Sequence, residues 1–198
     1  MNIIHTFGDS HSHHGFRNLN NYNIRMNHIG SKTMSNFGRF KLDLLDISKF
    51  NVQSGDYVCF CFGEIDCRSH VPKFKEKYKE LIEQIVDSYI DAIKENIKNF
   101  SDLKVMIYNI PPTLRKSYEN RNELFPMIGT DEERIIYIKY MNDKLREQCE
   151  INKFIFFDVY DSYVGEDGFM KFELSDGCIH INNPIYIDEF LKKILSIK

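Results

Sequence analysis

The feature that most constrains this chain is the run DYVCFCF at Asp56–Phe62, in which every side chain after the first is apolar or aromatic. Continuous apolar runs are typical of strands that are covered on both faces, as in parallel sheets. Four further strand-like runs lie along the chain, at Asn2–Phe7, Tyr22–Ile29, Leu103–Ile110 and Lys153–Val159. The sequence therefore predicts five strands of a parallel sheet.

Helical patterns lie between these runs, and the clearest has an apolar or aromatic residue at every fourth position from Leu81 to Ile97. The predicted helices are Thr33–Ser48, Lys73–Asn99, Asp131–Glu150 and Pro184–Ile197. Strands that alternate with helices form βαβ units with right-handed crossovers. We therefore predict one α/β domain over residues 1–198, alone or as part of a longer chain, built as a three-layer α/β/α sandwich.

Composition narrows the classes of partner and compartment. The net charge of −3 gives no electrostatic reason to expect a nucleic-acid or anionic-membrane partner. No stretch approaches the roughly 20 apolar residues of a membrane span, and the N-terminal residues lack the basic and apolar regions of a signal peptide. The five cysteines are irregularly spaced, which favours reduced thiols. These features predict a cytoplasmic protein.

Two clusters raise the question of a metal site. Cys59 and Cys61 lie two apart on a predicted strand and so share one face, but Cys67 alone does not complete a ligand set. The three histidines of His11–His14 crowd one turn, with no acidic partner at ligand spacing. The simpler interpretation is that the cysteines are buried thiols. The histidines are then polar and partly exposed, and at most one of them lines the pocket. We expect no metal.

The segment Pro111–Thr130, PPTLRKSYENRNELFPMIGT, has no clear period and follows the carboxyl end of a predicted strand. Long irregular loops in a compact domain are often lids or binding loops, and open α/β sheets bind ligands at that edge. A lid and an ordered surface excursion without function are both compatible with this segment.

The first predicted strand ends in the stretch FGDSHSHHGF. Gly8 permits an unusual backbone angle, and Ser10 would begin the next helix at the carboxyl edge of the sheet. A serine placed there can attack a carbonyl, while its own N–H helps to hold the resulting oxyanion. Asp9 would then fix the corner. Gly-Asp-Ser is also compatible with a plain helix cap, so these residues leave both interpretations open.

A partner for this serine occurs near the other end of the chain, in SDGCIHIN. His180 follows the last predicted strand, so its loop returns to the same edge of the sheet. Such a histidine can take the proton of Ser10 and pass it to a leaving group. Asp176, four residues earlier, is placed to orient the other ring nitrogen.

Four blocks, FGDSHS, HIGSKTM, FGEIDCR and DGCIHIN, resemble in order and separation those of the SGNH, or GDSL-type, hydrolase superfamily. The resemblance covers nearly the whole chain and implies the flavodoxin-like, five-stranded sheet of that family. It also implies Ser10 as nucleophile and Asp176 and His180 as its catalytic partners. The implied oxyanion hole consists of the N–H groups of Ser10 and Gly30.

Two blocks depart from the family pattern. Ile65 occupies the position of an Asn that donates to the oxyanion, and an ionised Glu64 cannot replace that donor. Arg68 is a candidate replacement. The family spacing places the acid at Gly177, one residue after Asp176, so a bulge would be needed to restore the contact.

The FGEIDCR variant resembles a subgroup found beside or fused to glycan-building enzymes, which implies a glycosyltransferase as fusion partner or associate. In that setting Glu64 would deprotonate an amino or hydroxyl acceptor. A structural ion network of Glu64, Asp66 and Arg68 explains the same residues equally well.

We therefore expect serine-dependent acyl transfer to a sugar, a sugar nucleotide or a glycan, through an acyl-enzyme and without a tightly bound cofactor. The favoured reaction is sugar acetylation from acetyl-CoA. A carbohydrate acetyl esterase and an inactive glycan-binding module are the alternatives. A flavin or nucleotide-binding domain ranks last, because Gly8 and Gly15 match no phosphate-binding spacing.

Overall fold

The computed structural model describes residues 3–116 and 124–195, and its five strands form one sheet in the order β2-β1-β3-β4-β5. The strands are β1 Ile4–Gly8, β2 Ile24–His28, β3 Tyr57–Cys61, β4 Lys104–Tyr108 and β5 Ile155–Phe157. All four pairings are parallel, and Phe7 of β1 lies opposite Phe60 of β3. The predicted parallel sheet is confirmed; Asn2, the first residue predicted for β1, lies outside the described residues.

Helices cover both faces of this sheet. They are α1 His11–His14, α2 Met34–Phe40, α3 Tyr78–Ile97, α4 Asp131–Asn152, α5 Tyr160–Tyr163 and α6 Ile185–Leu195. Side chains of α2, α3 and α4 form one apolar core with the sheet, while α5, α6 and the segment after α1 form the other. This arrangement confirms the predicted three-layer α/β sandwich.

The two cores follow from the alternation of side chains along each central strand. On β3, Val58 and Phe60 join the α3 side, whereas Cys59 and Cys61 join the α6 side. The Cys59 and Cys61 sulfurs lie 3.8 Å apart on one face, as predicted, and all five cysteines are free thiols.

The predicted helix Thr33–Ser48 is wrong beyond Phe40, where α2 ends. Lys41 follows with φ of +46°, a backbone angle that an α-helix cannot contain. The rest of the predicted helix is replaced by two 3-10 turns, at Lys41–Asp43 and Ile47–Phe50. The Asp46 carboxylate accepts the Ser48 N–H at 3.1 Å and so begins the second turn. Local side-chain hydrogen bonds here compete with the helix.

The predicted helix Lys73–Asn99 begins too early, because α3 starts at Tyr78. A π-helical turn at Asp66–His70 and a 3-10 segment at Val71–Lys77 precede it. Pro72 has no N–H to donate, and Phe74 has non-helical angles of −126° and 38°. At the other end of the chain, α6 spans Ile185–Leu195, and the predicted end at Ile197 lies outside the described residues.

The carboxyl ends of all five strands meet at one edge of the sheet because the strands are parallel. The corner after β1, the turn after β3 and the residues after β4 therefore lie close together. Across the described ranges, none of the helices is both long enough and apolar enough to span a membrane.

Candidate active site

Three side chains from opposite ends of the chain form a continuous hydrogen-bonded series at this edge. The Nε2 atom of His180 lies 2.8 Å from Ser10 Oγ, and its Nδ1 atom lies 2.8 Å from Asp176 Oδ2. Ser10 and His180 are 170 residues apart in sequence. This is the geometry of a nucleophile, a base and an orienting acid.

A tight turn explains how Asp176 reaches His180 across four residues. Gly177 has φ of +79°, and the Asp176 N–H donates to the His180 carbonyl at 3.0 Å. The N–H groups of Cys178 and His180 both donate to Asp176 Oδ1, at 2.9 and 3.3 Å. The turn thus supplies the backbone adjustment that the sequence spacing required.

Burial and charge set the protonation of this pair. Burial lowers the pKa of His180 to about 4, and the charge of nearby His11 adds to this effect, while the contact with Asp176 opposes it. Burial raises the pKa of Asp176. Hydrogen bonds from His180 and Cys178 outweigh this effect, so the pKa of the carboxyl is lowered. At neutral pH a neutral imidazole therefore faces Ser10, as a general base requires.

The corner that carries Ser10 is held against β3. A Cβ atom on Gly8 would collide with the Cys61 carbonyl, so only glycine allows this approach. The Asp9 N–H donates to that same carbonyl at 3.2 Å. The predicted helix after Ser10 is only the single turn of α1, so its dipole contributes little, and the corner itself sets the direction of the serine.

Two backbone N–H groups are available near the nucleophile. Within residues 3–116 and 124–195, the N–H groups of Ser10 and Gly30 have no hydrogen-bond acceptor. Gly30 has φ of +88° and lies two residues beyond His28, the register partner of Gly8. The Ile29 N–H donates to Gly8 at 2.8 Å, so the ends of β1 and β2 are joined. The oxyanion hole formed by these two N–H groups stays a prediction.

The residues of the third block divide into two separate contacts. Glu64 and Arg68 are buried and joined by two hydrogen bonds, from Nε at 2.7 Å and from Nη2 at 3.0 Å. Arg68 Nη1 also donates to the Phe125 carbonyl. Ile65 is a buried apolar side chain and supplies no donor. The guanidinium is therefore engaged by Glu64 and the loop that holds Phe125.

Asp66 belongs to the fold around α2 rather than to this ion pair. Its carboxylate accepts the N–H of Met34 at 2.6 Å and of Ser35 at 3.2 Å, at the start of α2. Complete burial raises the pKa of Asp66 to about 6, although these hydrogen bonds oppose the shift. Asp66 thereby ties the turn after β3 to the helix that follows the Gly30 segment.

A narrow crevice lies beside the series of Ser10, His180 and Asp176. Its lining residues come from the ends of β1, β3 and β4: Asp9, His11, Cys61, Phe62, Glu64, Tyr108, Asn109, Ile110 and Pro111. Asp9 is buried, and in the described part of the chain its Oδ2 atom has no hydrogen-bond partner. Glu64 therefore borders the candidate site even though Arg68 holds it.

Two histidines flank His180, and sequence reasoning missed both contacts. His11 was expected to be partly exposed, but it is buried, and its ring centre lies 5.1 Å from that of His180. His14 stacks on His180 at 3.9 Å with an angle of 11° between the rings. In the sequence, these contacts are indicated only by the position of His11 and His14 on one helical turn. Their approach to His180 depends on the fold of the last loop, which no local pattern records.

One group of side chains has the composition of a metal site. Ligand atoms of His14, Asp176 and His180 lie within 4.8 Å of one another. The two imidazole rings are nearly parallel, so their in-plane lone pairs do not converge on one point. Both ring nitrogens of His180 are instead engaged in hydrogen bonds with Ser10 and Asp176.

The irregular segment Pro111–Thr130 is anchored at both of its described ends. The Thr113 carbonyl accepts the Met170 N–H at 2.9 Å, and the Ile128 N–H donates to Arg68 at 3.0 Å. Pro111 lines the crevice. The middle of the predicted lid, residues 117–123, lies outside the described residues.

This fold defines a class, the esterases and hydrolases that are built on an α/β sandwich. The model of the GDSL-like lipase/acylhydrolase family matches residues 4–186, and the chain belongs to that family.

Solved structures share the fold at low sequence identity. An aryl esterase from M. smegmatis superposes with a TM-score of 0.63 at 14% identity, with 100% of both chains covered. A GDSL-like lipase from Bacteroides thetaiotaomicron gives a TM-score of 0.62 at 13% identity, covering 98% of this chain and 87% of that one. A carbohydrate acetylesterase from Sinorhizobium meliloti gives 0.57 at 14% identity, with both chains fully covered. No curated protein matches the sequence.

Proposed function

We propose that this protein is a serine esterase that removes small acyl groups, acetyl above all, from a carbohydrate. The observation that carries the proposal is the pair of 2.8 Å contacts that link Ser10 Oγ to His180 and His180 to Asp176. Membership of an acylhydrolase family supports the reaction class. The structural likeness to a carbohydrate acetylesterase supports the choice of substrate.

In the proposed reaction His180 Nε2 takes the Ser10 proton as Oγ attacks the ester carbonyl. The N–H groups of Ser10 and Gly30 stabilise the tetrahedral oxyanion. His180 then returns the proton to the departing sugar oxygen, and the acyl-enzyme remains. His180 takes a proton from water as the water oxygen attacks this ester, and it returns that proton to Ser10 Oγ as the acid leaves. These steps use side chains and backbone N–H groups of this chain together with water, so no tightly bound cofactor is part of the proposal.

Acetyl transfer from acetyl-CoA to a sugar or sugar nucleotide is the second candidate, and the position of Glu64 on the crevice favours it. In that reaction a carboxylate on the crevice would deprotonate an acceptor amine. Both of its oxygens, however, already accept hydrogen bonds from Arg68, so the guanidinium occupies the atoms that an acceptor would have to reach. Hydrolysis therefore ranks first.

The test compares Ser10→Ala with Ser31→Ala, a matched change at an exposed serine. On p-nitrophenyl acetate and on O-acetylated sugars we expect Ser10→Ala to lower kcat by a factor on the order of 10⁶. Ser31→Ala should match the wild type. Intact-mass analysis should show an acetylated wild-type protein and an unmodified Ser10→Ala protein. Equal turnover by both variants would refute the serine mechanism, and glycan binding without any turnover would favour a binding module.

A further inference from the structure

His11 is a buried histidine whose two ring nitrogens both face hydrogen-bond acceptors. Its Nδ1 atom lies 2.9 Å from Asp9 Oδ1, and its Nε2 atom lies 3.2 Å from the carbonyl oxygen of Ile179. Only 5% of His11 is exposed, so water does not compete freely for either nitrogen.

These contacts fix the protonation state of the ring. A carbonyl oxygen can only accept, so the bond to Ile179 requires a proton on Nε2. Asp9 Oδ1 also accepts the backbone N–H of His11 at 2.9 Å, which identifies it as an acceptor. Both ring contacts are satisfied together only when both nitrogens carry protons. His11 is therefore held as an imidazolium.

The contact with Ile179 links the charged ring to the catalytic loop, because Ile179 immediately precedes His180. We propose that His11, as an imidazolium, is a positioning residue that ties the loop of Asp176 and His180 to the corner that carries Ser10. The assignment rests on the proposed function, since it is the contact between His180 and Ser10 that His11 maintains.

The charges around His11 support this assignment. Burial alone would lower the pKa of His11, but the charge and hydrogen bond of Asp9 and the charge of Glu64 raise it. Four titratable neighbours of His11 in the described part of the chain are neutral at pH 7. Burial lowers the pKa values of His14 and His180, and it raises those of Cys61 and Tyr108.

The sign of the pH dependence follows from this state. As the pH rises through the raised pKa of His11, the ring keeps the proton that faces Asp9 and loses the one on Nε2. Two lone pairs then face each other across the contact with Ile179, and the loop is released. Activity should fall on the alkaline side for a reason that does not involve His180, which is already neutral.

Two substitutions separate the halves of the contact. The amide nitrogen of His11→Gln lies near the position of Nε2 and keeps a donor for Ile179, whereas that of His11→Asn lies near Nδ1 and keeps only the donor for Asp9. We expect His11→Asn to lower kcat/KM on the order of 10²-fold through misplacement of His180. His11→Gln should retain most of the activity and lose the alkaline limb of the wild type.

Two measurements do not depend on activity. By ¹⁵N NMR of the inactive Ser10→Ala protein, both ring nitrogens of His11 should be protonated at neutral pH. Amide hydrogen exchange at residues 176–180 should be faster in His11→Asn than in His11→Gln. A neutral His11 ring, or equal exchange and equal kcat/KM in the two variants, overturns the proposal. A protonated His11 in a wild-type protein that cleaves no ester supports the positioning role and refutes only the esterase.

Discussion

The imidazole rings of His14 and His180 lie face to face, 3.9 Å apart and 11° from parallel. Nδ1 of His14 lies 3.9 Å from Asp176 Oδ2, beyond hydrogen-bond distance. Burial and the charge of Arg17 lower the pKa of His14, so the stacked ring is neutral at neutral pH. His14 therefore supports the face of His180 without competing for its protons.

Loss of this stack should weaken catalysis modestly. An aromatic pair contributes about 0.5–1.5 kcal/mol, so His14→Ala should lower kcat/KM about two- to tenfold by freeing the His180 ring. His14→Phe keeps a stacking surface and should stay near the wild-type value. Steady-state kinetics on p-nitrophenyl acetate distinguish the two variants. Equal losses in Ala and Phe would show that a polar atom of His14, and not its ring face, is needed.

The acid limb of the pH profile should report His180. The active form has a neutral His180 and an ionised Asp176, and both are reached as the pH rises. With the pKa of His180 at about 4, kcat/KM should be flat through weakly acidic pH. It should then fall about tenfold for each pH unit below that value. A limb centred near the ordinary histidine pKa of 6.5 would show that burial of the ring does not control this group.

The three residues of the series should act as one unit. Ser10→Ala and His180→Ala should each remove nearly all turnover, and the double variant should be little worse than either, since such losses are not additive. Asp176→Asn keeps the size of the side chain but not the carboxylate that orients Nδ1–H. We expect it to cost less, about 10⁴-fold in kcat. Undiminished activity of Asp176→Asn would mean that another group orients the imidazole.

The sheet and the series Ser10–His180–Asp176 could be predicted because each depends on local signals and on topology. Apolar runs marked the strands, and parallel strands bring their carboxyl ends together whatever the loops do. The corner at Gly8 and the loop before His180 lie at that edge for the same reason. The irregular spacing of Asp176 left its contact open, because a left-handed Gly177 cannot be read from the residue order.

Other contacts depended on packing that no local pattern records. The burial of His11 follows from the return of the last loop over α1, through the carbonyl of Ile179. Similarly, Asp66 accepts two N–H groups from a helix more than thirty residues earlier in the chain. The helix over Thr33–Ser48 was overpredicted because the backbone at Lys41 leaves the helical region, with φ of +46°, and side-chain hydrogen bonds at Asp46 begin a separate turn.

Asp66 should matter for stability rather than for substrate affinity. Asp66→Ala leaves the N–H groups of Met34 and Ser35 without their acceptor in a buried place. Such a loss costs about 1–3 kcal/mol, and the melting temperature should fall accordingly. KM should change little. Asp43→Ala, at an exposed acid, is the matched control and should leave the melting temperature unchanged. A raised KM with unchanged stability would assign Asp66 to substrate binding.

The Glu64–Arg68 pair should behave as a buried ion pair. Glu64→Gln removes the carboxylate that accepts two hydrogen bonds from the guanidinium, and Arg68→Met removes the guanidinium that donates them. Breaking one side of a buried pair costs about 3–5 kcal/mol, whereas replacing both sides is often much less costly. We therefore expect the double variant to be more stable to urea than either single variant. Additive losses would show that the two side chains stabilise the fold independently.

The same double variant separates hydrolysis from transfer. Water can be activated by His180 alone. The single-turnover rate of deacylation of the acetylated Glu64→Gln/Arg68→Met protein should therefore stay within about tenfold of the wild-type rate. Loss of a general base would lower that rate about 10²–10⁴-fold. With acetyl-CoA as donor and an amino sugar as acceptor, the wild type should form no acceptor-dependent product. The opposite outcome is that the wild type forms such a product and the double variant does not, although the double variant still hydrolyses acetyl esters. In that case Glu64 is the base for an acceptor, and the protein is an acetyltransferase. Arg68→Met alone keeps the Glu64 carboxylate and, assayed below its melting temperature, is the control for loss of the ion pair.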